Sequence, residues 1–147
     1  NLHNIIYKNK KVNKSGIHHV PMVVYYFIVK LKNINKFTFI QDFTKKSYLF
    51  RGAVTGLLGN QIKNGETYID IEVPTKIESK IWKNPSLYYN RIWKEAVNLG
   101  LVKGKIPIKR KFLKTPVSFW AIEKDYYKIT DKINRSVTNY SKNISGK

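Results

Sequence analysis

The chain has 147 residues, with 28 Lys and Arg against 9 Asp and Glu, a net charge of +19 and 42% apolar residues. That length suits one domain of ordinary size with a core, and the absence of cysteine excludes disulfides and thiolate metal sites. A compact body so uniformly charged repels itself, so the excess points to a polyanionic partner: nucleic acid first, an anionic membrane surface second.

Residues 1 to 20 form a basic arm with Lys8, Lys10, Lys11 and Lys14 and no acid. They lack the apolar centre of a secretory signal, and the expectation is an extended arm with little contact to the rest of the chain. The longest apolar run, VPMVVYYFIVKL from Val20 to Leu31, falls short of the roughly 20 residues that span a bilayer. Its β-branched and aromatic content reads as a buried strand, so no membrane span is expected.

Met22 to Lys32 is therefore the first strand and Lys36 to Gln41 a second, with Asn33 and Asn35 marking the turn. From Lys45 to Ile62, Phe50, Val54, Leu57, Leu58 and Ile62 recur at helical spacing, and Asn64-Gly65 gives a stop. Gly52, Gly56 and Gly59 in that span imply that something packs closely against it. Thr67 to Val73 alternates as a half-buried strand, with Tyr68, Asp70 and Glu72 on its wet face and Pro74 ending it.

Ser86 to Leu99 reads as a helix begun by Asn84-Pro85 and closed by Gly100. Val117 to Ile122 and Tyr126 to Ile129 read as strands, and Thr130-Asp131 caps a last helix over 130–143. The prediction is an α+β protein: an antiparallel or mixed sheet of 22–32, 67–73 and 117–129, packed on one face by helices 45–62 and 130–143. Residues 21–147 would form a single domain behind the 1–20 arm.

No catalytic constellation stands out. His3, His18 and His19 lie in or beside the arm with no acid near them in sequence, and they read as solvated or phosphate-facing. Glu66, Asp70, Glu72 and Glu78 cluster on and beyond one strand. Paired carboxylates can serve metal-dependent phosphoryl chemistry, but on a wet strand face they read as solvated or paired with lysines. There is no Gly-rich phosphate loop. The expectation is a binding protein, not an enzyme, with no cofactor and no metal.

Residues 101 to 114, LVKGKIPIKRKFLK, contain Lys103, Lys105, Lys109, Arg110, Lys111 and Lys114 and no acid. Two readings fit. In a winged helix, 84–103 would enter the major groove and 103–122 would form a wing holding phosphates, as in a DNA-binding regulator or a plasmid or viral replication factor. In an RNA-binding protein the stretch is a basic loop laid on phosphates, with interleaved aromatics for stacking.

For the second reading the order of features resembles the universal large-subunit ribosomal protein L-sixteen family, in a divergent form. The basic arm IIYKNKKVNKSGIHH is followed by the strand and turn YYFIVKLKNINKFTFI. GNQIKNGETYIDIEVPTK then supplies an aromatic–Ile pair (Tyr68-Ile69) and a closing Pro74. KGKIPIKRKFLKTP matches a basic loop, SFWAIEKDYYKIT an aromatic–Trp strand (Phe119-Trp120), and TDKINRSVTNYSKNISGK a final helix and Lys-rich tail. Residues 79–103 stand as an insertion.

The resemblance implies a structural constituent of the ribosomal large subunit, needed for its assembly and sited near the aminoacyl-tRNA site. Its partners would be rRNA, tRNA in that site and neighbouring ribosomal proteins. Composition rich in Asn, Lys, Ile and Tyr suggests an AT-rich gene and a mitochondrial ribosome. The expected rRNA-binding residues are Lys8, Lys10, Lys11, Lys14, Arg51, Lys103, Lys105, Lys109, Arg110, Lys111 and Lys114.

Overall fold

In the computed structural model the described residues are 6–7, 10–11, 17–35, 37–44, 46–122, 127–128, 131–132, 134–135 and 138. The chain divides into two compact units: residues 20–118, and residues 1–19 together with 119–147. The sequence reading instead has an arm over 1–20 and one domain from 21 onward. In the second unit β1 (Ile6–Tyr7) pairs antiparallel with β2 (Lys10–Lys11). Residues 127, 128, 131, 132, 134, 135 and 138 are helical. The expected helix over 130–143 lies otherwise outside the described residues, as do arm residues 1–5, 8–9 and 12–16, whereas residues 17–20 of the expected arm begin a long strand of the main sheet.

The class is α+β, as expected. A five-stranded sheet comprises β3 (Ile17–Lys30), β4 (Phe39–Gln41), β5 (Arg51–Ala53), β6 (Glu66–Pro74) and β7 (Arg110–Ile122), in spatial order β4-β5-β6-β3-β7. The pairs β3–β6, β5–β6 and β4–β5 are antiparallel. β7 runs antiparallel to β3 as well, since the Ile28 N–H donates to the Lys109 carbonyl at 3.0 Å while the Ser118 hydroxyl reaches the Met22 sulfur at 3.5 Å. Of the three strands expected to share one sheet, 67–73 does so, 22–32 does so as far as Lys30 and 117–129 as far as Ile122.

Period-two patterning decides its faces. Val23, Tyr25, Phe27 and Val29 of β3 and Thr67, Ile69, Ile71 and Val73 of β6 are buried, with Tyr25 opposite Ile71 and Phe27 opposite Ile69. The alternate residues Val24, Tyr26, Ile28, Tyr68, Asp70 and Glu72 are half-buried on the other face. Each fully buried aliphatic or aromatic side chain contributes about 1.5–3 kcal/mol.

The helix covering the buried face corrects the sequence reading. Within residues 20–118 the α-helices are α1 (Thr55–Leu58), α2 (Lys80–Lys83) and α3 (Tyr89–Asn98). Ile92, Trp93 and Ala96 of α3 and Ile81 of α2 join the core, with Leu49, Val54, Leu101 and Val102. Trp93 lies 5.2 Å from the Phe27 ring and donates its indole N–H to the Gly104 carbonyl at 3.0 Å. Residues 79–103, expected as an insertion, therefore carry the helix that closes the core. Their apolar stripe needs a sheet to bury it. α3 lies on the sheet and 110–122 is strand β7, so neither a trihelical unit nor a hairpin wing forms here. The start and stop of this segment follow the sequence: the Ser79 hydroxyl accepts the Trp82 N–H at 3.2 Å, Pro85–Tyr88 is a 3-10 turn, and Gly100 closes α3 at φ +80°.

The helix expected over 45–62 does not form; only Thr55–Leu58 is helical, after β5. Its glycines explain the difference. A Cβ on Gly52 would stand 2.8 Å from Leu101 Cδ2, and one on Gly56 would stand 2.8 Å from the Tyr68 backbone nitrogen while striking the Thr67 hydroxyl. The close approach foretold by the glycines is real, but it belongs to the inner strand β5 and the one-turn helix α1. Asn64 (φ +53°) and Gly65 (φ +70°) make a two-residue hairpin turn between Lys63 and Glu66 rather than a helix stop. The strand expected over 36–41 is confined to 39–41, and Tyr127 and Lys128 are helical where a strand over 126–129 was expected.

Candidate nucleic-acid interface

The stretch read as a basic loop is half strand. Arg110 begins β7, and alternation separates its cations. Toward the helices, the Arg110 guanidinium sits 4.9 Å from the Tyr89 ring and the Lys114 ammonium 5.7 Å from the Trp82 ring. Phe112, between them, lies 6.2 Å from Tyr89. Toward the other face, Lys111 sits 5.9 Å from the Tyr26 ring. Lys109, just before the strand, reaches Glu66 at 3.2 Å. Contacts of this kind are individually weak, about 0.5–1 kcal/mol when exposed, so they hold the cations in place without using up their charge.

Lys103 and Lys105 are exposed in the loop that leaves α3. Lys105 and Lys109 line one recess of about 300 Å³ with Asn33 and Glu66. Arg51, on β5, is exposed and paired with the Glu72 carboxylate. Lys10 and Lys11 lie on β2, in the other compact unit. Lys8 and Lys14 lie outside the described residues.

The carboxylates of this face are engaged. Glu66 holds Lys109, Glu72 holds Arg51, and Asp70 accepts the Thr55 hydroxyl. Burial first, and then the Glu72 charge, push the Asp70 carboxyl above its ordinary range, with Arg51 opposing. Among the described residues no group of three acidic or histidine side chains gathers to hold a metal. His18 and His19 fall within β3.

Tyr26 and Tyr68 were not singled out as binding residues from sequence. The signal was present, since YYFIVK and TYIDIEV alternate, and parity places both tyrosines away from the core. The register confirms it: Ile28 pairs with Tyr68 and Tyr26 with Asp70, making the tyrosines diagonal neighbours across β3 and β6. They line a recess of about 480 Å³ with Ile28, Lys111, Phe112 and Leu113.

No family model matches the sequence, and no curated protein is significantly similar to it. A solved structure of reduced UDP-galactopyranose mutase is similar in fold, with a TM-score of 0.60 at 13% identity over 84% of this chain. The match spans 27% of the mutase chain. A likeness at that identity concerns the fold alone. Among the described residues no helix is long and apolar enough to cross a membrane.

Proposed function

We propose that this chain binds a phosphate-bearing polyanion, RNA foremost, through lysines and arginines distributed around its sheet. The observation that carries the reading is the charge of +19 together with its placement. Exposed cations stand at Lys30 ending β3 and Lys32 just after it, at Lys63 in the hairpin turn, at Lys80 and Lys83 on α2, and from Lys103 to Lys114. α3 itself carries only Arg91 and Lys94, and Arg91 is paired with Glu95 at 3.2 Å. A duplex-reading helix would concentrate the charge there; irregular RNA is met by cations on several sides. The more particular setting, a large-subunit ribosomal protein near the aminoacyl-tRNA site and without bond-making chemistry, rests on the order of sequence features, and its mitochondrial placement on the Asn-, Lys-, Ile- and Tyr-rich composition.

A second reading starts from the mutase's name: the anion bound would be a UDP-sugar, whose diphosphate the same cations could hold.

The test is binding of structured RNA across a salt series, by wild type and by Lys109→Ala, Arg110→Ala and Lys111→Ala combined. Each phosphate contact is worth about 0.7–0.9 log unit of affinity per tenfold salt, so the triple variant should flatten the slope by about two to three units. An unchanged slope overturns the role given to these residues. Binding of UDP-sugars with no binding of RNA would favour the second reading.

A further inference from the structure

We infer that the recess between Tyr26 and Tyr68 is a stacking subsite for one base of a single-stranded RNA, with Lys111 and Lys109 placed for the phosphates on either side. The inference rests on the RNA-binding reading above and adds where, and by what chemistry, a base is held. The recess, at about 480 Å³, falls within the range of small-ligand sites. A second recess of about 560 Å³ shares Ile28 and Tyr68 with it and is walled by Lys63, Lys109 and Glu66. Two half-buried phenol rings on adjacent strands, with Ile28 between them, give an apolar floor that a base covers without hydrogen-bond readout. Lys111 already rests 5.9 Å from the Tyr26 ring, within reach of a phosphate at the rim.

Aromatic rings interleaved with cations are how proteins hold unpaired nucleotides, whose bases offer a free π face. The acids limit the path. Asp70, directly opposite Tyr26, and Glu72 stand on β6 beside Tyr68, with Asp70 bonded to Thr55 and Glu72 paired with Arg51. A strand would therefore run along the β3–β7 side, where Lys109 and Lys111 stand.

The experiment compares binding of a short single-stranded RNA with binding of an abasic ribose–phosphate strand of the same length and charge, using the full chain. Wild type should prefer the base-bearing strand by roughly 5- to 150-fold per stacked base. Tyr68→Leu or Tyr26→Leu should erase most of that preference and leave the salt slope unchanged, whereas Tyr68→Phe, which keeps the ring, should retain it. Equal affinity of wild type for the two strands overturns the subsite while leaving RNA binding through charge intact. Failure to bind either strand overturns both. Should a Leu variant fail to fold by circular dichroism, the wild-type comparison of the two strands still decides.

Discussion

Tyr25 is fully buried, and its hydroxyl donates to the Pro85 carbonyl at 2.9 Å, joining β3 to the turn before α3. Burial foremost, and then Tyr89 and Tyr88, hold its pKa well above the ordinary 10.0. The unfolded chain ionises near the ordinary value while the folded chain resists. This contribution is therefore complete below about pH 10 and is lost as pH rises beyond it. Tyr25→Phe should cost about 1–3 kcal/mol at neutral pH, because the Pro85 carbonyl loses its donor. The variant should also lose stability less steeply in alkali. Urea melts at pH 7 and near pH 11 check both, and an identical alkaline loss in the two proteins would refute the assignment. Tyr26, one residue along, shares the residue type and not the role, since strand parity turns it to the other face.

At the scale of elements, α3 decides whether the sheet has a core. Ile92 and Ala96 are fully buried and Trp93 nearly so, beneath Phe27 and Tyr89. Ile92→Ala should destabilise by about 2–5 kcal/mol through lost burial and a cavity, measured by thermal or denaturant unfolding. A cost below about 1 kcal/mol would mean that α3 is peripheral, as an insertion would be. β7 shows how one sequence serves two ends. It is an edge strand, and charged side chains along an edge also deter pairing with other chains. Cations on both its faces would be useful even without RNA, which is why the binding tests above compare salt slopes and bases rather than the mere presence of charge.

For the whole molecule, a charge of +19 with 9 acids in 147 residues implies self-repulsion that salt should relieve. The three described ion pairs, Arg51–Glu72, Arg91–Glu95 and Lys109–Glu66, involve exposed cations and contribute little. Without any ligand, the melting temperature should therefore rise by a few degrees as salt goes from about 10 to 150 mM, over which the Debye length shortens from about 30 to 8 Å. A melting temperature that falls instead would mean that attractive pairs dominate the surface. Salt that steadies the fold should weaken the proposed RNA binding, so the two effects separate in one titration series.

The sequence by itself determined the strands that carry their own pattern. TYIDIEV alternates, VPMVVYYFIVKL is apolar and β-branched, and both became neighbouring strands with their parity intact. It also determined the charge, and the Gly100 that ends α3. Alternation is local, so a single strand displays it before any partner is known. What pairs with what is not local. Phe50, Val54, Leu57 and Leu58 have helical spacing, yet β5 pairs there because Gly52 lies against Ile40 and Leu101, residues distant in sequence. The segment 79–103 reads as an insertion in the order of elements of the family it resembles, but its apolar stripe packs on Tyr25 and Phe27. The six cations of LVKGKIPIKRKFLK read as one patch along the chain, but Lys103, Lys105 and Lys109 precede β7, which sorts Arg110 and Lys114 onto one face and Lys111 onto the other. The tyrosine pair arises only when β3 and β6 settle into register, because a diagonal contact across two strands exists in no stretch of sequence.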